Sequence, residues 1–155
     1  MVFTLGQKGT RMFTAAVLGR ISVALVTWIL RGTIDLESKG FYLETPGGDP
    51  IPHHMTINLG SLNQSLNPPT ILGQTVFLHI NQLVYDTDLG VCAAPVFLAE
   101  WQGREICTIH AHPHITVCLK PGVKPVLSNK LLEQGGQIYW LDESYCLNAT
   151  VQECD

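Results

Sequence analysis

Apolar and polar positions fall along this chain in short blocks, most of which have the two-residue period of strands or the continuous run of a buried strand. Met12-Phe13-Thr14-Ala15-Ala16-Val17-Leu18 predicts a buried strand closed by Gly19. Ile21 to Arg31 predicts a helix, with Leu25, Trp28 and Ile29 at helical spacing and Gly32 as its C-cap, although its β-branched residues weaken the propensity. Gly40-Phe41-Tyr42-Leu43 reads as a short strand, Pro46-Gly47-Gly48-Asp49-Pro50 as a turn, and Ser61 to Thr70 as an exposed loop. Gln74 to Tyr85 predicts a long strand. Asp86-Thr87-Asp88-Leu89-Gly90 then supplies a hairpin turn into Val91 to Leu98, where Pro95 implies an edge or a bulge. After a turn at Gln102-Gly103, Glu105 to His110 leads to another strand, broken by Lys120-Pro121-Gly122. Ser128 is placed to N-cap a short helix, Asn129 to Gln134, stopped by Gly135-Gly136, before a last strand at Gln137 to Leu141. The pattern predicts one α+β domain over residues 1–155, with a loose lead-in at 1–11 and a tail at 142–155 that matches no element.

Two of the strand blocks share a pattern. Pro52-His53-His54-Met55-Thr56-Ile57-Asn58-Leu59 and Pro113-His114-Ile115-Thr116-Val117-Cys118-Leu119 each read His-x-Thr followed by apolar residues at the same offsets, Ile57 with Val117 and Leu59 with Leu119. Alternate residues of a strand share a face, so His54 with Thr56, and His114 with Thr116, each present an imidazole beside a hydroxyl. One His-x-Thr is a weak signal. Two copies with matching flanks predict an internal duplication in which each half gives one strand to a shared cleft. By the same alternation His53 should face away from the cleft, whereas His112 shares a face with His114.

Composition narrows the class. With 155 residues, 46% hydrophobic and 14% charged, the chain has the material for one core and is not disordered. A net charge of −4 excludes a broad basic surface for long duplex nucleic acid but leaves room for a small phosphate pocket. The five cysteines include no C-x-x-C pair, which points to reduced thiols and a cytoplasmic setting. Arg20 and Arg31 interrupt the apolar stretch near the N-terminus, leaving only Ile21 to Leu30 uncharged, too short to span a membrane.

Cleaving a phosphodiester requires taking a proton from the attacking oxygen and giving one to the departing oxygen, and histidine titrates nearest neutrality. Two histidines can divide these tasks while two threonine hydroxyls donate to the non-bridging phosphate oxygens. Such a scheme needs no cofactor or metal. The competing reading is a metal site at His110, His112 and His114, which would alternate along one strand; Pro113 and the lack of a nearby carboxylate count against it. His79, alone in its strand, reads as an exposed residue. Phe13, Tyr42, Trp101, Tyr139 and Trp140 are candidates to stack on a base, and Lys120 and Lys124 to meet a phosphate.

The paired runs His54-Met55-Thr56 and His114-Ile115-Thr116 resemble the signature of the 2H phosphoesterase superfamily, which includes LigT-like 2′,5′-RNA ligases and cyclic phosphodiesterases. The likeness extends to Phe13-Thr14-Ala15-Ala16-Val17-Leu18, where the family has its first strand, and Pro113-His114-Ile115-Thr116-Val117 with Lys124-Pro125-Val126-Leu127-Ser128-Asn129 resembles small viral members, among them phage anti-CBASS nucleases. It covers residues 12 to 130. The resemblance implies a two-lobed LigT-like α+β fold with pseudo-twofold symmetry, antiparallel sheets around a central cleft and flanking helices. It implies His54, Thr56, His114 and Thr116 as the catalytic set, leaving open which histidine is the acid, with Phe13, Tyr42, Lys124 and Trp140 as candidates to touch substrate. The partner would be a small nucleotide, such as a cyclic dinucleotide immune messenger, a 2′,5′-oligonucleotide or a 2′,3′-cyclic phosphate, and not a membrane. Within this class the viral resemblance favours the immune messenger. The alternatives are a cyclic phosphodiesterase or RNA ligase of RNA processing and a binding module without turnover.

Overall fold

The computed structural model describes residues 12–155; the lead-in at 1–11 lies outside them. Seven strands and two helices follow in the order β1 (Phe13–Leu18), α1 (Arg20–Thr33), β2 (His54–Leu59), β3 (Thr75–Asp86), β4 (Val91–Trp101), β5 (Arg104–Glu105), β6 (His114–Leu119), α2 (Leu127–Gln134) and β7 (Gln137–Cys154). The strands form one antiparallel sheet in the order β2-β1-β7-β3-β4, with β5 and β6 pairing to different stretches of β4. This is the predicted α+β fold, with a motif strand at the outer edge of each lobe. The sheet curls until those edges meet. β2 and β6 come into contact, and the Ile109 amide donates to the Ile57 carbonyl at 2.8 Å.

The duplication is visible in the strand register. His54 pairs with Val17 and Thr56 with Ala15; beyond Thr56 the register slips by one, so that Asn58 meets Thr14. In the other lobe His114 pairs with Pro95 and Thr116 with Ala93, and the same slip beyond Thr116 brings Cys118 opposite Cys92. Each motif strand therefore carries a one-residue bulge immediately after its threonine, at Ile57 and at Val117. Met55, Ile57, Ile115 and Val117 are wholly buried, which leaves each histidine and threonine on the opposite, cleft-facing side.

Several elements depart from the pattern reading. α1 buries Ser22, Val26, Ile29 and Leu30, spaced as one helical stripe, but Trp28 lies outside that stripe and is exposed. Gly32 falls inside the helix, whose cap is Ile34. The block 40–43 forms no strand; Tyr42 makes a single bridge to Leu119. The 61–70 loop is not wholly exposed: Leu62 and Asn67 are buried, and the Asn67 amide grips the Cys107 main chain with two bonds of 2.8 Å. Pro95 sits where the β3–β4 register breaks between Ile80↔Val96 and Val84↔Ala93, the bulge anticipated for it.

The largest correction concerns the C-terminus. The strand expected to stop at Leu141 runs on to Cys154 and lies at the centre of the sheet, pairing with β3 along most of its length and with β1 over Ala149–Cys154. The polar residues Asp142-Glu143-Ser144, which end the apolar pattern, are exposed where the β3 register slips, from Ile80↔Tyr145 to Gln82↔Trp140. β7 thus joins the two lobes. The Ser22 hydroxyl of α1 accepts the Asn148 amide at 2.9 Å and anchors the helix to it.

Candidate active site

His54, Thr56, His114 and Thr116 line one cavity of about 350 Å³ between the motif strands, together with Phe13, Ile51, Leu59, His110, Pro125, Val126 and Asn129. The four predicted residues are brought together by the curl of the sheet, since sixty positions separate the two motifs.

The rings are held differently. His114 Nδ1 lies 2.8 Å from the His112 carbonyl oxygen. A carbonyl only accepts, so Nδ1 carries the proton and Nε2 is left free to exchange one. His54 Nδ1 lies 3.1 Å from Nδ1 of His53, so one of these two nitrogens donates to the other. Both catalytic candidates titrate below the ordinary histidine value of 6.5. Burial lowers His54 to about 4, helped by the neighbouring His53 and His114. Burial also lowers His114, with the His112 carbonyl acting against it by stabilising the ring N–H, and with His110 and His112 adding to the fall. Both rings are therefore neutral near pH 7 in the free protein.

Two neighbours fall where strand alternation did not put them. β2 begins at His54, so His53 precedes the strand and turns back to His54 instead of facing away. β6 begins at His114, so His110, His112 and His114 do not alternate along a strand, and His112 contributes its carbonyl. His110 does reach the cavity, its ring centroid 6.1 Å from that of His114. His79 is not an exposed bystander: its Nε2 lies 2.7 Å from Glu100 Oε2, with the side chain only 22% exposed.

Of the proposed substrate contacts, Phe13 lines the cavity with its ring centroid 5.4 Å from that of His54. Tyr42 lines an adjoining groove, as does Lys120. Lys124 and Trp140 line neither space.

Pattern reading missed Ser128. Expected as an N-cap, it lies inside α2, which begins at Leu127; it is wholly buried, and its Oγ is 2.8 Å from Thr116 Oγ1. With Ser128 donating, the Thr116 hydrogen is free to point at a phosphate oxygen. Asn129, the next residue, faces the cavity itself. Nothing in local sequence distinguishes a capping serine from one that meets a strand twelve residues away.

The crystal structure of a fungal RNA kinase is similar to this chain with a TM-score of 0.53 at 13% identity. The likeness covers 97% of this chain and 46% of that one, so the chain spans about half the length of that protein. At this identity the likeness bears on the fold, and it agrees with the curled antiparallel α+β architecture. No curated protein sequence matches the chain. The family model of the fungal tRNA ligase phosphodiesterase domain matches residues 53–153, a span that begins one residue before the first motif and contains both motifs and all of α2. The chain, with its two His-x-Thr strands in equivalent registers around one cavity, belongs to the fungal tRNA ligase phosphodiesterase domain family, of 2H phosphoesterase type.

Proposed function

We propose that this chain is a metal-independent phosphodiesterase that opens a 2′,3′-cyclic phosphate at an RNA end, with His54 as general base and His114 as general acid. The observation that carries the reading is the pair of motif strands in matching register, each delivering a histidine and a threonine to one cavity of about 350 Å³. His54, held at about 4 by burial and two neighbouring imidazoles, stays unprotonated and can take a proton from water as it attacks phosphorus. The His112 carbonyl opposes the burial that lowers His114, and a bound phosphate anion opposes it further, which favours protonation of the ring in the substrate complex. That ring then gives its Nε2 proton to the departing ribose oxygen. Thr56 and Thr116 donate to the two non-bridging oxygens, where charge gathers in the transition state.

The match to a tRNA ligase phosphodiesterase family supports RNA ends over cyclic dinucleotide messengers, the substrate favoured by the viral resemblance. The test is turnover in EDTA of 2′,3′-cyclic nucleotides and cyclic-phosphate RNA ends, alongside cyclic dinucleotides and 2′,5′-oligoadenylate. Cyclic-phosphate ends should be opened, and His54→Ala and His114→Ala should each lower kcat by about 10²–10⁴-fold, the range for one proton carrier. Turnover of cyclic dinucleotides alone would return the reading to immune messengers. No turnover of any substrate would leave a binding module, and loss of activity in EDTA would overturn the metal-independent scheme.

A further inference from the structure

A second, larger space of about 720 Å³ adjoins the catalytic cavity and shares Ile51, His54 and Pro125 with it. One wall is the hairpin of residues 42–50, closed by the Glu44↔Pro50 bridge and by the Thr45 amide donating to the Asp49 carbonyl at 2.8 Å. The other is the segment 119–125 that leaves β6, the strand carrying His114 and Thr116. The walls are fixed to each other. The Tyr42 amide donates to the Leu119 carbonyl at 2.7 Å, and the Leu119 amide donates back to the Tyr42 carbonyl at 3.1 Å.

Each space falls within the roughly 300–1,000 Å³ range of small-ligand sites, so together they have room for more than the nucleotide whose phosphate reacts. The groove lining is mostly apolar, with Pro46, Pro50 and Pro121 around an aromatic and a cation. Tyr42 is 57% exposed although it is a large aromatic residue on a rigid, backbone-paired segment. An aromatic face of this kind is what an unpaired base stacks on. Lys120, half-buried with its Nζ 5.5 Å from the Phe41 ring centroid, supplies a positive charge beside it. Glu44 also lines the groove, which favours a phosphate on the Lys120 side and a ribose hydroxyl donor near the carboxylate.

We infer that this groove is a subsite for the nucleotide on the 5′ side of the reacting one, with Tyr42 stacking on its base and Lys120 meeting the linking phosphodiester. The inference rests on the reading of the smaller cavity as the phosphate site, and it makes an oligonucleotide end the preferred ligand over a mononucleotide. The direction follows from the chemistry: a 2′,3′-cyclic phosphate occupies the 3′ end, so the chain can continue only from the 5′ side.

Binding of reaction products separates this inference from catalysis. Titration calorimetry of the wild type with adenosine 2′- and 3′-phosphate, the two products that ring opening can give, and with the dinucleotide ApA bearing the same terminal 2′- or 3′-phosphate should show the dinucleotide bound about tenfold tighter in the tighter-binding series, as one stacked base provides. Tyr42→Ala and Lys120→Ala should each shrink that ratio towards one, while Tyr42→Phe and Lys120→Arg keep it. Equal affinities in the wild type, a ratio that survives both alanine substitutions, or no binding of any of these ligands would overturn the subsite. A protein that keeps the dinucleotide preference but opens no cyclic phosphate would retain the subsite and lose the proposed reaction.

Discussion

Replacing His54 by glutamine should remove a large part of the protein's sensitivity to acid. In the folded protein His54 titrates near 4, chiefly because burial disfavours the imidazolium and secondarily because His53 and His114 stand close by; its ordinary value is 6.5. With the folded value below the unfolded one, the unfolded chain takes up the proton first as pH falls. Above pH 6.5 the group is neutral in both states and has no effect on the balance. Between 6.5 and about 4 the unfolded state gains increasingly, and below 4 the loss is complete. At 1.36 kcal/mol per pH unit this interval amounts to about 3 kcal/mol, a sizeable share of the ~5–15 kcal/mol typical of domain stability. His110 and His114 are also lowered by burial and act in the same direction, so the total acid sensitivity exceeds this figure. The difference between wild type and His54→Gln isolates His54. Urea unfolding of both proteins, followed by circular dichroism at intervals from pH 7.5 to 4, measures it. The variant should gain about 3 kcal/mol on the wild type across that span, and a stability gap that stays constant with pH would refute the burial argument.

The proposed roles give a bell-shaped kcat/KM with its maximum on the acid side of pH 6.5, because both histidines of the free protein titrate below that value; a maximum above pH 7.5 would contradict them. Ser128→Ala should lower kcat about tenfold with little change in KM, since it releases the Thr116 hydroxyl from its partner at 2.8 Å without touching the substrate; steady-state kinetics on a cyclic-phosphate end reads the split, and an equal rise in KM would point to ground-state binding instead. Asn67→Ala strips the Cys107 amide and carbonyl of their partners and should cost about 1–3 kcal/mol in urea unfolding. Gly136→Ala should cost a similar ~1–3 kcal/mol, because the added Cβ would lie 2.7 Å from the Tyr85 carbonyl oxygen and 2.6 Å from Leu131 Cδ1; an unchanged unfolding midpoint would show that the close approach relaxes freely.

Local pattern alone determined much of this protein. The apolar run of β1, the long blocks of β3 and β4 and the turn Asp86–Gly90 were legible because each depends on neighbours in sequence; the Asp86 carboxylate accepts the Asp88 and Leu89 amides within that turn. So was the placing of His54 with Thr56, and of His114 with Thr116, on one strand face each, because strand periodicity does this whatever the strand later pairs with. The tertiary structure decided what periodicity cannot report. β7 continues past Asp142-Glu143-Ser144 because a register slip against β3 accommodates a polar interruption that looks, in one dimension, like the end of a strand. His53 and His112 escape the alternation rule because each lies just before its strand begins, free to turn a ring or a carbonyl onto the catalytic candidate. Ser128 reaches Thr116 only because α2 packs on β3 and β4, beside the motif strand. The groove beside the cavity exists only because Tyr42, at the start of the 42–50 hairpin, is hydrogen-bonded to Leu119 at the exit of β6, 77 positions away. Sequence spacing sets which face a side chain takes, whereas the curl of the sheet sets which distant faces meet.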